Sequence, residues 1–182
     1  MEEYIDIWSE DGLPTGKYIL KDEAHQKGLF HPTVHIWMYT NKSEVLFQQR
    51  GSQKETFPGF WDVSVAGHIM TGETIKSAAI REVKEEIGLS INEHQLLAVD
   101  IRKNINQHPN GIIDCEFQHV FLCELLVDIN TLQIQEEEVD GIQLLSLDEF
   151  EYEVNHLDTS FSLVPADYSY YTFVIENVRK LL

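Results

Sequence analysis

The chain has 182 residues, 43% of them hydrophobic, with 13 basic against 31 acidic side chains and a net charge of -18. That length suits one domain with a short arm, and the charge repels a phosphodiester backbone, which excludes a long nucleic acid as partner. No apolar run approaches the ~18 residues of a membrane span; the acidic start lacks an apolar export core, and Cys115 and Cys123 as the whole cysteine content suggest reduced thiols in a cytoplasm.

Residues 1–32 read as an arm. Tyr4-Ile5-Asp6-Ile7-Trp8 is a strand candidate, SEDGLPTG a turn, and residues 17–20 the returning strand of a hairpin. A short polar segment, 22–28, carries His25, and His31 follows. Residues 33–39 (TVHIWMY) are rich in β-branched and aromatic side chains and predict a strand. Asn41-Lys42-Ser43 turns the chain into a second strand, 44–49. Arg50 stands at its end, placed to pair with a phosphate or with a neighbouring carboxylate. A loop, 52–59, leads to a short strand, 61–65. Phe60 and Trp61 are flat enough to stack on a planar group, or to pack a core.

A helix is expected over 73–87. Ile80, Val83 and Ile87 fall at i, i+3 and i+7, a buried stripe. Glu82, Glu85 and Glu86 fall at i, i+3 and i+4, a second stripe. Gly88 suits the left-handed stop. Three carboxylates on one stripe repel unless counter-charged, and a hard divalent cation such as Mg²⁺ prefers oxygen ligands. Arg81, at i, i+4 from Glu85, can hold that carboxylate; Glu73 sits near the positive helix end.

Further strands are expected over 95–102, 112–127 and 141–145, with a polar loop at 104–111. Asp114 and Glu116, at i, i+2, share one strand face, and Cys115 faces the other way, buried and inert. Ser146-Leu147-Asp148-Glu149 has capping-box spacing and opens a short helix. A loop spans 158–165. A last helix begins near Asp167. Tyr168, Tyr170 and Tyr171 either line a pocket or pack a core or a subunit contact. A homodimer through the arm or the last helix is a further expectation.

The spacing Gly67, Glu73, Arg81-Glu82, Val83, Lys84, Glu85-Glu86, Ile87, Gly88, Leu89 resembles the Nudix box, with every signature position filled. The resemblance implies an α/β/α sandwich with a mixed central sheet, the N-terminal β-hairpin arm at 1–32, the Nudix domain over 33–165 and the C-terminal helix 166–182 packed on it. It implies a hydrolase that splits a small diphosphate, such as a nucleoside diphosphate linked to another group, by metal-activated water. The metal is expected to be Mg²⁺, with Mn²⁺ the alternative, held by Glu82, Glu85, Glu86 and the Gly67 carbonyl. Either Glu85 or Glu116 is the base, and Glu82 and Arg81 complete the catalytic set.

His25 and His31 in the arm, Pro58-Gly59-Phe60-Trp61, Gly67-His68, and Asp114 with Glu116 are similar to the isopentenyl diphosphate isomerase branch of that superfamily. This similarity implies a second metal set of His25, His31, His68, Asp114 and Glu116, a donor mix suited to Mn²⁺, Fe²⁺ or Zn²⁺. Ala66 occupies the position of the isomerase's acid–base Cys, and a methyl group cannot exchange a proton. Hydrolysis is therefore expected over the two rivals, prenyl diphosphate isomerisation and a non-catalytic nucleotide sensor.

Overall fold

The computed structural model describes residues 2–156 and 161–182. The arm is β1 (Tyr4–Trp8), β2 (Pro14–Leu20) and α1 (Lys21–Lys27). β1 and β2 form an antiparallel hairpin whose own small core is Ile5, Ile7 and Ala24. The main sheet contains β3 (His31–Tyr39), β4 (Glu44–Arg50), β5 (Trp61–Asp62), β6 (Val65–His68), β7 (Leu97–Gln107), β8 (Ile113–Glu124) and β9 (Val139–Ser146). Its order is β5-β4-β3-β8-β7, with β6 beside β3 and β9 beside β4. β3 and β8 run parallel, and the other pairs are antiparallel, so the sheet is mixed.

Strand alternation explains the layers. Ile36, Met38, Leu46, Phe121 and Cys123 point to one face, where α2 (Ile75–Ile87) lays Ala79, Val83 and Ile87 against them. Trp37, Val45, Phe47, Val120 and Leu122 point to the other, where α3 (Leu147–Asn155) and α4 (Tyr168–Leu181) bury Phe150, Val154, Val174 and Val178. The result is the expected α/β/α sandwich. α3 opens on the expected capping box of Ser146 and Glu149. Tyr170 and Tyr171 join the second core, whereas Tyr168 is exposed.

The structure corrects three expectations. The strand expected over 61–65 breaks into β5 and β6, and β6 continues to His68. The cause is Ser64: its hydroxyl accepts from Met38 N–H at 2.8 Å and donates to the Leu46 carbonyl, bridging the gap where β3 and β4 diverge. The expected loop at 104–111 is strand as far as Gln107, because Asn104 pairs with Glu116 and Asn106 with Asp114. The strand expected over 112–127 ends at Glu124. Of the loop expected at 158–165, residues 158–160 lie outside the described residues.

Candidate active site

α2 starts at an N-cap, Thr74, whose hydroxyl accepts from Ser77 N–H, and stops at Gly88 with φ 70°. Arg81 rises from its second turn and uses all five donors. Nε and one terminal nitrogen hold both oxygens of Glu73, at 2.8 and 2.9 Å. The other terminal nitrogen reaches Glu82 Oε1 at 2.8 Å and Glu85 Oε2 at 2.9 Å. The fifth donor meets the His68 carbonyl at 2.9 Å. Arg81 thus engages one oxygen each of Glu82 and Glu85. Glu73 also accepts from Met70 N–H at 3.0 Å, which fixes the turn before α2.

Glu86 is only 4% exposed, beside Ala66 N–H at 3.4 Å. Burial, reinforced by the charge on Glu82, pushes its carboxyl up to about 8. Burial raises Glu82 to about 7 against the pull of Arg81. Glu85 is the outermost of the three, its side chain 52% exposed. A Cβ on Gly67 would collide with the Glu82 carboxylate, so only glycine lets that side chain lie across β6.

A second cluster sits beside the first. His25 comes from α1, His31 from the start of β3 and His68 from the end of β6. Their ligand atoms all lie within 4.8 Å of one another. His31 Nδ1 meets the Leu29 carbonyl at 2.8 Å; a carbonyl only accepts, so Nδ1 carries the proton and Nε2 keeps its lone pair. That Nε2 is fully buried and has no hydrogen-bond partner. His25 Nε2 is 3.1 Å from His68 Nε2. Burial pushes His31 down to about 4 and His68 well below the usual imidazole range, the neutral form that ligates metal.

The β7–β8 pairing brings the carboxylates to this cluster. Asp114 Oδ1 is 3.9 Å from His25 Nε2 and Glu116 Oε1 is 4.0 Å from His31 Nε2. Burial and the Asp114 charge raise Glu116 to about 7, and Gln118 Nε2 donates to it at 2.9 Å. Cys115 lies on the opposite face, buried, as expected. Both clusters open into one cleft of about 480 Å³, also lined by Ala66, Tyr170, Tyr171 and the cationic Lys21, Arg50, Lys54 and Arg102.

Arg50 lines the cleft with three of its five donors engaged inside the fold. Nε and one terminal nitrogen bond the Thr56 carbonyl and hydroxyl at 3.0 Å each, and the other reaches Asp62 at 2.9 Å. It therefore organises the 51–60 loop. Trp61 and Phe60 are not among the residues lining the cleft: Trp61 stacks on Phe161, ring centres 4.7 Å apart and 9° from parallel, and Phe60 meets Phe57.

A NUDIX-domain family model matches residues 29–164. The chain belongs to the Nudix family. An uncharacterized Nudix hydrolase of Clostridium acetobutylicum is 36% identical over 151 residues, covering 81% of the chain and 72% of that relative. An isopentenyl-diphosphate delta-isomerase of Escherichia coli is 30% identical over 161 residues, covering 88% and 86%. The crystal structure of DR0079 from Deinococcus radiodurans superposes with TM-score 0.65 over 98% of both chains at 21% identity, a likeness of fold. This Nudix domain is a hydrolase acting on the pyrophosphate bond of small diphosphates. Hydrolases of the family generally use a divalent metal. The donors present fit one: His31 keeps a buried, unpartnered lone pair, the Glu82 carboxylate lies in the gap left by Gly67, and Glu86 is buried beside Ala66.

Sequence reasoning did not single out Lys21, Lys54, Arg102, His108 or Gln118. Gln118 was within reach, since it extends the i, i+2 series of Asp114 and Glu116 on one strand face. Lys54 left no local signal. It acquires its place through an ion pair with Glu138, far along the chain.

Proposed function

We propose that this Nudix hydrolase cleaves a small diphosphate of the nucleoside diphosphate-X type with Mg²⁺. Glu82, Glu85, Glu86 and the Gly67 carbonyl would hold the ion, which when bound neutralises the phosphates and makes water a stronger nucleophile. The observation that carries the reading is Arg81 gathering Glu82 and Glu85 while leaving the second oxygen of each to the cleft. Arg81 keeps those side chains in one rotamer before substrate arrives, so little ordering entropy remains to be lost. Glu85, the most exposed, accepts the proton of the attacking water; Glu116, held by Gln118, is the alternative base. Lys21 and Lys54 line the cleft as phosphate counter-charges once Glu3 and Glu138 are displaced. His25, His31, His68, Asp114 and Glu116 form a second metal centre in the same cleft.

Phosphate release from a panel of diphosphate-linked metabolites, with and without Mg²⁺, tests the reading. Glu82→Gln is expected to lower kcat/KM by roughly 10²–10⁴-fold while circular dichroism and Tm stay near the parent's. Equal rates in mutant and parent refute the assignment.

A second reading, prenyl diphosphate isomerisation, is favoured by the imidazole–carboxylate cluster and opposed by Ala66. Solvent deuterium entering isopentenyl diphosphate would support it; recovery of undeuterated substrate would end it.

A further inference from the structure

His108 belongs to neither ligand set, yet it is 93% buried by its surroundings, with 7% of its surface exposed. Its Nε2 lies 2.7 Å from Asp114 Oδ2. An ionised carboxylate only accepts, so Nε2 carries the proton. The bond occupies Oδ2 and leaves Oδ1 turned to His25. The residue is itself held through its backbone and its ring. Its backbone N–H donates to the Ile112 carbonyl at 2.8 Å and its carbonyl accepts from Gly111 N–H at 3.0 Å, closing the β7–β8 turn. Phe57 meets the ring edge-on, centres 5.2 Å apart and 72° between planes.

Phe57 adopts φ 48°, a left-handed conformation that a bulky side chain seldom takes. Its loop is tied to the same turn by Asn110 Nδ2 donating to the Glu55 carbonyl at 2.9 Å. Strain tolerated at Phe57 thus secures the ring that secures Asp114.

We propose that His108 is a positioning residue: it aims Asp114 Oδ1 at a divalent ion held by His25, His31 and His68, with Phe57 clamping its ring. The inference rests on reading that cluster as a metal centre. Partners of this kind, one step out from the ligands, typically change metal affinity by 10–100-fold when removed.

The test uses Co²⁺ as probe, followed by its visible absorption, with Mg²⁺ in excess to occupy the box glutamates. The parent should bind one Co²⁺ that His25→Ala loses. His108→Phe should weaken Co²⁺ binding by about 10–100-fold, and His108→Gln, whose amide N–H can still reach Asp114, should recover most of it. Phe57→Ala should give an intermediate loss with the hydrogen bond retained. If His108→Phe does not fold, His108→Ser, too short to reach Asp114, takes its place. Parent-like affinity in the Phe or Ser variant overturns the positioning role. So does a Gln variant as weak as the Phe variant, since ring shape alone would then matter. Parent Co²⁺ binding that ignores His25→Ala overturns the metal-centre reading itself, and the role of His108 with it.

Discussion

At the scale of single residues, the charged side of α2 works because one guanidinium serves four acceptor groups. Lysine has a single nitrogen and cannot reproduce that fork. Arg81→Lys is therefore expected to cut kcat/KM by roughly 10–100-fold and to lower Tm, because Glu73 and Glu82 lose their common partner; steady-state kinetics with a melting curve check both. Gly67→Ala should cut kcat/KM for a steric reason, because its methyl must push the Glu82 carboxylate aside, while the melting temperature changes little. His35 illustrates a different sensitivity. Trp37 Nε1 donates to Tyr170 Oη at 2.9 Å, so the tyrosine's one proton goes to His35 Nδ1 at 2.8 Å, which must be unprotonated. Burial accordingly lowers His35 to about 4. Its folded value lies below its unfolded value, so the unfolded chain binds more protons between the two. The stability tied to the neutral ring is complete above about 6.5 and is lost as pH falls towards 4. His31, His68 and His119, lowered in the same direction, add to that loss. His35→Gln, which can accept from the tyrosine and does not titrate, should flatten the acid limb of a Tm-against-pH curve in metal-free buffer.

Secondary elements differ in how plainly they were written into the chain. α2 was legible because its apolar and acidic stripes are local patterns three and four residues apart, although it begins at Ile75, two residues later than expected, behind the Thr74 cap with Ser77. Thr74→Ala should cost about 1 kcal/mol, a fall of roughly 2–4 °C in Tm for a domain of this size. β7 was only half legible. Its polar Arg102 and Asn104 line the cleft while Ile101 and Ile105 are each 59% exposed, the reverse of the usual inward-apolar rule. A pattern reader sees a polar run and infers a loop. The cleft makes it a strand, because its half-buried neighbours are the carboxylates of β8. The switch from β4 to β3 at Ser64 was invisible for a related reason: a serine hydroxyl replaces two missing ladder bonds, and no spacing rule announces it.

For the whole molecule, the family motif was readable from sequence and the sandwich came with that resemblance; the structure shows how alternation in β3, β4 and β8 sorts side chains into two cores. The convergence of His25, His31, His68, Asp114 and Glu116 was indicated by similarity and not by geometry. It depends on the register between strands, which no local window contains. The -18 charge adds one more expectation. A molecule this acidic repels an anionic substrate until cations collect in the cleft, so metal should also act on stability. With Mg²⁺ at about 100 times its Kd the fold gains roughly 2.7 kcal/mol, or about 5–10 °C in Tm; chelation should reverse the shift, and Glu86→Gln should abolish it.

The parallel pairing of β3 with β8 sets His31 beside Glu116. Strands so far apart in sequence can meet only after a long excursion has closed, and such closure is slow and late. During synthesis, the hairpin and the first two sheet strands must wait, edges bare, until β8 leaves the ribosome. The two halves of the imidazole–carboxylate pocket therefore meet only once that strand is in place, and a chain cut short before it loses both the carboxylates that complete the cluster and the Phe121 and Cys123 face on which α2 packs.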